Sequence, residues 1–139
     1  MTKVILISQF PLPYHRIGSW TTMYKNYLES DHSIDFVVCE RPVMLYENIN
    51  YSFIKNSISI KIKKKLLKNY YLDYLYGLNK IIKSDEKYII QVVDNFGLVK
   101  YLNVYLKNQG VRENCHIQFF FMDTLHFIKI LRVVVFLKL

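Results

Sequence analysis

Several residue types that mark common protein classes are scarce in this chain of 139 residues. Cys39 and Cys115 are its two cysteines, too few for a disulfide framework and too far apart for a zinc knuckle. Four glycines and three prolines exclude a collagen-like or loop-dominated chain. We therefore expect one globular domain with both cysteines reduced and placed inside strands.

Long hydrophobic runs are also lacking. The first apolar run, residues 4–7, is followed by Pro11 and Pro13. It is too short for a secretory signal core or a membrane span, but it has the length of a buried strand. The predicted localisation is therefore cytoplasmic, with at most a peripheral position at the inner membrane surface.

Acidic residues are the minority, with 11 Asp and Glu against 19 Lys and Arg. Residues 61–68 hold five lysines and no acid, which is typical of a surface that binds nucleic acid or anionic lipid. A solvated start of a long helix is the interpretation we favour. The excess of lysine has a second explanation, because the chain is rich in residues that A- and T-rich codons encode. Its tyrosines follow the spacing of a helical core and do not form a platform on which bases could stack. We expect no nucleic-acid partner.

The sequence does contain a regular alternation of strand and helix patterns. Continuous apolar runs, typical of strands buried in a parallel sheet, predict strands at residues 3–10, 33–40, 88–93 and 116–121. Apolar residues at helical spacing predict helices over 22–29, 63–84 and 97–108. Alternating residues at 51–54 and 58–62 predict one or two short strands. This order predicts an α/β fold: a doubly wound, Rossmann-like, mostly parallel sheet with helices on both faces.

The loop after the first predicted strand, PLPYHRIGSW, is the most informative segment. Parallel sheets bind ligands at the carboxyl ends of their strands, and a helix N-terminus suits a phosphate. Gly18 would let the backbone approach a ligand, Ser19 or Thr21 could cap the helix, and Arg16 could pair with an anion. A tight turn and a capped helix with a surface arginine explain the same residues. No glycine-rich dinucleotide fingerprint or P-loop is present.

Three other residues are candidates at the same edge of the sheet. His15 is either a general base or hydrogen-bond donor, or an exposed loop histidine. Asp94 and Asn95 follow a predicted strand, where they would line a cleft, cap the next helix, or do both.

Cys115 and His116 are adjacent in a strand and point to opposite faces, so we expect no metal site, and no cofactor is predicted.

The chain resembles the N-terminal domain of GT-B-fold glycosyltransferases, especially the family-4-like retaining enzymes. The segments that resemble it are KVILISQFPLPYHRIGSWTTMYKNYLES, SIDFVVCERP, YIIQVVDNFGLVKYLNVYLKNQG and HIQFFF. In that family the first strand ends in a loop that contains Pro and Gly and enters a helix. The usual Gly-Gly pair of that loop is here Gly18-Ser19.

The resemblance implies an acceptor-side domain over residues 1–121. The intact enzyme would transfer a sugar from a nucleotide-sugar donor to a glycan or lipid-linked acceptor, for example in polysaccharide biosynthesis. Gly18 and Ser19 would face the donor phosphates, while His15, Arg16, Asp94 and Asn95 would line the cleft. No residue is assigned a catalytic role.

The sequence departs from the resemblance after Phe121. Members of the family continue into a second domain that holds most of the nucleotide-sugar site, with paired glutamates that do not occur here. After a shift of one base, the codons from Met122 onward can encode His-Gly-Tyr-Ser-Pro-Phe. The codons of the three phenylalanines directly before Met122 form a run of T, where one base is easily lost. We therefore interpret residues 122–139 as an aberrant or truncated apolar tail that promotes self-association, and we expect the chain alone to be inactive.

A second hypothesis stays open beside the first. The chain could be a small, flavodoxin-like α/β module that binds a phosphate-bearing ligand or a partner protein. A module of that kind would have more Ser, Thr and Gly in its first loop than PLPYHRIGSW has.

Overall fold

The computed structural model of the chain describes residues 1–15, 19–30, 33–93 and 95–120. Five strands alternate with four α-helices, and a short 3₁₀ turn, Arg112–Asn114, precedes the last strand. The elements in chain order are β1 (Thr2–Ile7), α1 (Ser19–Ser30), β2 (Phe36–Cys39), β3 (Asn50–Phe53), α2 (Ile58–Leu66), α3 (Leu72–Asn79), β4 (Lys87–Val93), α4 (Phe96–Asn108) and β5 (Cys115–Phe120).

The five strands form one parallel sheet in the order β3-β2-β1-β4-β5. Ile7, near the end of β1, pairs with Val38 of β2 and Val92 of β4. This order belongs to the Rossmann fold, whereas the flavodoxin order is 2-1-3-4-5. The order of the strands reverses between β1 and β4, and ligands of such sheets bind outside the carboxyl ends of the strands at that point.

Helices cover both faces of the sheet, as the sequence predicts. On one face, Tyr24 and Leu28 of α1 are buried with Leu6 and Val37. On the other face, α3 and α4 bury a larger set of apolar side chains against β1, β2, β4 and β5. This set includes Leu75, Leu78, Leu98, Leu102, Leu106, Ile5, Val38 and Ile90. Residues 40–49 join β2 to β3 as a loop without a helix.

Helix α3 lies unusually close to the sheet because of one glycine and one buried serine. A Cβ atom on Gly77 would lie 3.0 Å from Cγ1 of Val38 and 3.3 Å from Cγ2 of Ile54. The buried hydroxyl of Ser52 in β3 donates a hydrogen bond of 2.7 Å to the carbonyl of Gly77. The close approach positions α3 over β2 and β3.

Two predictions about residues 58–84 are wrong. Residues 58–62 are helical rather than extended, and the helix predicted over 63–84 is divided between α2, a turn and α3. The Ile58-Ser59-Ile60-Lys61-Ile62 alternation also fits a helix, and Ser57 begins it by accepting a hydrogen bond from the Ile60 N–H. The chain then turns at Lys68, which has a φ of 48°.

The other predicted elements are confirmed with shifts at their ends. Strand β1 ends at Ile7 rather than at Phe10 because Ser8 starts a turn. Helix α1 begins three residues before its predicted start, at Ser19, and β2 begins three residues after it, at Phe36. Gly110 follows α4 with a φ of 70°, the left-handed conformation expected for a helix C-terminus. Cys39 and Cys115 are free, buried and inside β2 and β5. The interpretation of residues 122–139 as a self-associating tail lies outside the described residues.

Candidate functional site

The turn after β1 is built around the buried side chain of Ser8. Its hydroxyl donates to the Phe10 carbonyl at 2.8 Å and accepts from the Phe10 N–H at 3.0 Å. Further along, the backbone of Leu12 hydrogen-bonds the thiol of Cys39 in β2, and the Leu12 side chain is buried. These contacts fasten the loop to the carboxyl edge of β1 and β2.

A series of aromatic rings leads from the core to His15. The ring centroid of Phe10 lies 6.4 Å from that of Tyr24 in α1 and 5.4 Å from that of Tyr14. The Tyr14 ring in turn lies 5.1 Å from the imidazole of His15. His15 is exposed, and its imidazole packs against the Tyr14 ring.

A groove of about 560 Å³ opens beside His15. It lies between the loop after β1, helix α1 and the loop that joins β2 to β3. Its volume falls within the range of small-molecule sites. The side chains that decide its chemistry are His15, Lys25, Glu29, Met44, Leu45 and Tyr46.

The groove combines an apolar end with charged groups from α1. The apolar side chains of Met44 and Leu45 are exposed. The Tyr46 N–H donates a hydrogen bond of 3.1 Å to the Tyr51 hydroxyl, which fixes the loop that joins β2 to β3 against β3. Lys25 supplies a cation from α1. Glu29 supplies a carboxylate from the same helix, so the groove places one cation and one anion beside an apolar surface.

Two phenols and one thiol near the groove have pKa values above their ordinary range. Burial, together with the nearby charge of Glu29, raises the pKa of Tyr46. Burial also raises the pKa of Tyr51, and burial raises the pKa of the Cys39 thiol to about 11. The phenols and the thiol are thus hydrogen-bonding groups, not bases or nucleophiles.

A second groove, of about 500 Å³, lies at the opposite edge of the sheet beside Lys3 and Glu86. The Lys3 Nζ atom bonds both carboxylate oxygens of Glu86, at 2.8 and 2.9 Å, and the Tyr88 hydroxyl donates to the same carboxylate at 2.6 Å. The hydrogen bond from Lys3 is the main cause that lowers the pKa of Glu86. Because these groups satisfy one another, the carboxyl edge is the better candidate.

The predicted site residues have different outcomes. His15 lines the groove, and Ser19 begins α1. Asn95 follows β4 at the same edge of the sheet, and its side chain accepts from the Leu98 N–H at 3.2 Å, so it caps α4. Arg16, Gly18 and Asp94 lie outside the described residues, and their roles stay predictions.

Sequence reasoning did not find the α1 side of the groove, nor a polar row on the α1 face of the sheet. In that row, the Tyr27 hydroxyl donates to Gln91 Oε1 at 2.9 Å, and Gln91 Nε2 donates to Gln118 Oε1 at 3.1 Å. The signal in the sequence was one glutamine inside each of two apolar strands, YIIQVV and HIQFF. Those glutamines become neighbours only through the parallel register of β4 and β5.

Within residues 1–15, 19–30, 33–93 and 95–120, no group of three or more His, Cys, Asp or Glu side chains could hold a metal ion. In the same part of the chain, no helix has the length and apolar character needed to cross a bilayer.

The comparison with known proteins finds no relative. No protein-family model, no curated protein and no solved structure matches the chain. The α/β, Rossmann-like fold with its carboxyl-edge groove is therefore what the structure itself establishes.

Proposed function

We propose that this domain is the acceptor-side half of a glycosyltransferase of the GT-B type. The observation that carries the proposal is the groove at the carboxyl edge of the Rossmann-ordered sheet, between the loops after β1 and β2 and helix α1. The resemblance of the β1, β2, β4 and β5 segments to that family supplies the chemical class.

In this proposal the groove holds a lipid-linked or glycan acceptor. Lys25 pairs with the acceptor phosphate, and His15 donates a hydrogen bond to a phosphate or hydroxyl oxygen of the acceptor. Met44 and Leu45 contact the apolar part of the acceptor. Asn95 keeps the start of α4 in place behind the cleft.

The donor would meet this half at the loop that leads into α1. Gly18 and Ser19 would face the donor diphosphate, with Arg16 and Asp94 at the sides of the cleft. A two-domain enzyme of this type holds most of its nucleotide-sugar site in the other domain. We therefore expect the 139-residue chain to bind an acceptor but to transfer no sugar by itself, in the cytoplasm or at the inner membrane surface.

Calorimetric titration with geranyl phosphate, a water-soluble prenyl phosphate, tests the acceptor site. We expect His15→Gln to weaken binding roughly tenfold, the effect of losing one hydrogen bond to a charged group. His116→Gln is the matched control, because His116 lies on β5 near the opposite edge of the sheet. It should leave the affinity unchanged.

Two results would contradict the proposal. One is equal affinity of the wild type and His15→Gln for geranyl phosphate. The other is measurable transfer from a nucleotide sugar by the purified chain. Tight binding of inorganic phosphate without any affinity for the prenyl phosphate would instead favour the alternative, a self-contained phosphate-binding module.

A further inference from the structure

Helix α2 differs from the other helices because none of its residues is buried. Among the residues whose exposure the structure describes, eleven large hydrophobic side chains are exposed, and five of them lie in or directly after α2. We call these five the α2 patch: Ile58, Ile62, Leu66, Leu67 and Tyr70. So dense a group of exposed apolar side chains marks an interaction surface rather than the usual scatter.

The apolar side of α2 faces away from the domain. At about 100° per residue, Ile58, Ile62 and Leu66 form one stripe along the helix. The only partly covered residues of α2 are Ile60 and Lys64, which lie on the opposite side. Ile58 is 78% exposed, Ile62 54% and Leu66 77%.

The inner side of α2 is fixed to the domain by specific contacts. Lys64 Nζ lies 2.7 Å from Oδ2 of the buried Asp73 in α3. Beyond the helix, the Tyr101 hydroxyl of α4 donates to the Lys68 carbonyl at 3.2 Å. The outward stripe is therefore held in place and does not result from a loosely attached helix.

Cations flank the apolar stripe on both sides. The exposed lysines are Lys61 and Lys65 on one side and Lys63 on the other, with Lys68 just beyond the helix. No acidic residue occurs from position 55 to position 72. An apolar stripe between lysines has the pattern of a helix that lies in the interface of a membrane.

We infer that the α2 patch is a docking surface for an anionic lipid bilayer. The side chains of the stripe, Ile58, Ile62 and Leu66, enter the boundary between headgroups and acyl chains, and the four exposed lysines pair with lipid phosphates. This charge pattern favours lipid over two other occupants. A second copy would bring its own lysines against these, and a nucleic acid would leave Ile58, Ile62 and Leu66 without an apolar partner.

The inference does not depend on the proposed glycosyltransferase role. The groove beside His15 and the α2 patch use different residues. Each can fail in its own experiment while the other stands.

Vesicle flotation with the full chain tests the inference. We expect binding to vesicles of phosphatidylcholine with about one-third phosphatidylglycerol, and little binding to phosphatidylcholine alone. Replacing Lys61, Lys63 and Lys65 by Gln should lower partitioning at least tenfold, since each lysine near the surface contributes about fivefold. The matched control replaces the exposed Lys80, Lys100 and Lys107 by Gln, which changes the net charge equally and should have a much smaller effect.

A second pair of variants tests the apolar stripe. Ile62→Ser should lower partitioning about tenfold, because it removes an inserted side chain. Val104→Ser in α4 is the control, since Val104 is 51% exposed and thus closely matched to Ile62. Both side chains lie on the surface, so neither variant is expected to unfold the chain.

Site-specific fluorescence places the contact on the helix. Cys39 and Cys115 are buried, so a thiol dye attached to Ile62→Cys labels that position selectively. We expect a blue shift of an environment-sensitive dye at position 62 when anionic vesicles are added, and none at Val104→Cys.

Several results would overturn the inference. They are absence of binding to anionic vesicles, equal losses in the patch and control variants, or no dye response at position 62. A concentration-dependent dimer without vesicles that Ile62→Ser dissociates would assign the patch to a second copy. Displacement from vesicles by duplex DNA, with the DNA affinity unchanged in Ile62→Ser, would assign the lysines to nucleic acid.

Discussion

Helices α4 and α2 start from the same kind of sequence pattern and end in opposite environments. Both carry apolar residues at helical spacing, yet α4 buries Leu98, Val99, Leu102 and Leu106 while α2 buries none of its residues. The comparison shows that apolar spacing predicts a helix but does not identify what the helix packs against.

The topology explains the difference between them. In a crossover between parallel strands, a helix packs back onto the sheet. Helix α4 does so between β4 and β5, and α3 does so between β3 and β4. Helix α2 belongs to the same connection as α3, contacts α3, and buries none of its residues.

The largest expected contrast between the two helices is in core packing. Leu102→Ala should lower the free energy of unfolding by about 2–5 kcal/mol, because Leu102 is fully buried and its truncation leaves a cavity. Leu66→Ala, the same change in α2, should cost less than about 0.5 kcal/mol. Urea denaturation of both variants measures the difference, and similar losses in the two would contradict the placement of α2.

The two buried thiols should make the free energy of unfolding depend on pH. The expected loss is similar to that in Leu102→Ala or smaller. Burial raises the pKa of Cys39 and of Cys115 from 9.0 to about 11. Because the folded pKa is the higher one, the stabilisation is complete below pH 9 and is lost as the pH rises through 11. The loss is on the order of 2 kcal/mol per thiol.

Denaturation as a function of pH measures the effect of the thiols. The double variant Cys39→Ala and Cys115→Ala should lose less stability than the wild type between pH 9 and 11. Parallel curves for the two proteins would contradict the burial of these thiols. A cysteine in place of Ile62 should show no such raised pKa.

Breaking the ion pair between α2 and α3 should have an intermediate effect on the free energy of unfolding. Lys64→Met leaves the buried Asp73 carboxylate without its cation and should cost about 1–2 kcal/mol. Lys65→Met, one residue further along the exposed side, should change stability by less than about 0.5 kcal/mol. Thermal or urea unfolding measures both variants, and equal effects would show that the Lys64–Asp73 pair does not hold α2 to the domain.

The smallest contrast concerns the two capping residues. Asn95→Ala removes the hydrogen bond to the Leu98 N–H at the start of α4 and should cost about 1 kcal/mol. Ser57→Ala at the start of α2 removes a longer bond of 3.4 Å, and α2 adds no core packing. We expect it to have less effect on global unfolding, and a larger loss for Ser57→Ala would reverse the assignment of the two helices.

The sequence was sufficient for the elements whose pattern has one interpretation. The runs in β1, β4 and β5 are mostly apolar, and Asn95 caps α4, which is one of the two roles predicted for it. Residues 58–62 were predicted incorrectly because their apolar residues satisfy a strand and a helix equally well. The capping bond at Ser57 and the Lys64–Asp73 contact, which decide the outcome, are not visible in a local pattern.

The candidate site was predictable only in part. His15 and Asn95 could be placed at one edge of the sheet because each follows a strand of a parallel fold. The groove itself depends on the Tyr46–Tyr51 hydrogen bond and on the position of α1 beside Met44, which are contacts between distant segments. The same applies to the Gln91–Gln118 pair.

The most direct test of the account is residue-resolved NMR titration of the chain with geranyl phosphate in the absence of vesicles. We expect the amide signals that change to belong to residues 12–15 and 44–46 and to the outer side of α1. The signals of residues 58–70 should be unaffected at the same ligand concentration. Changes confined to residues 58–70 would contradict it, because the prenyl phosphate would then recognise the α2 patch and the groove beside His15 would not be the acceptor site.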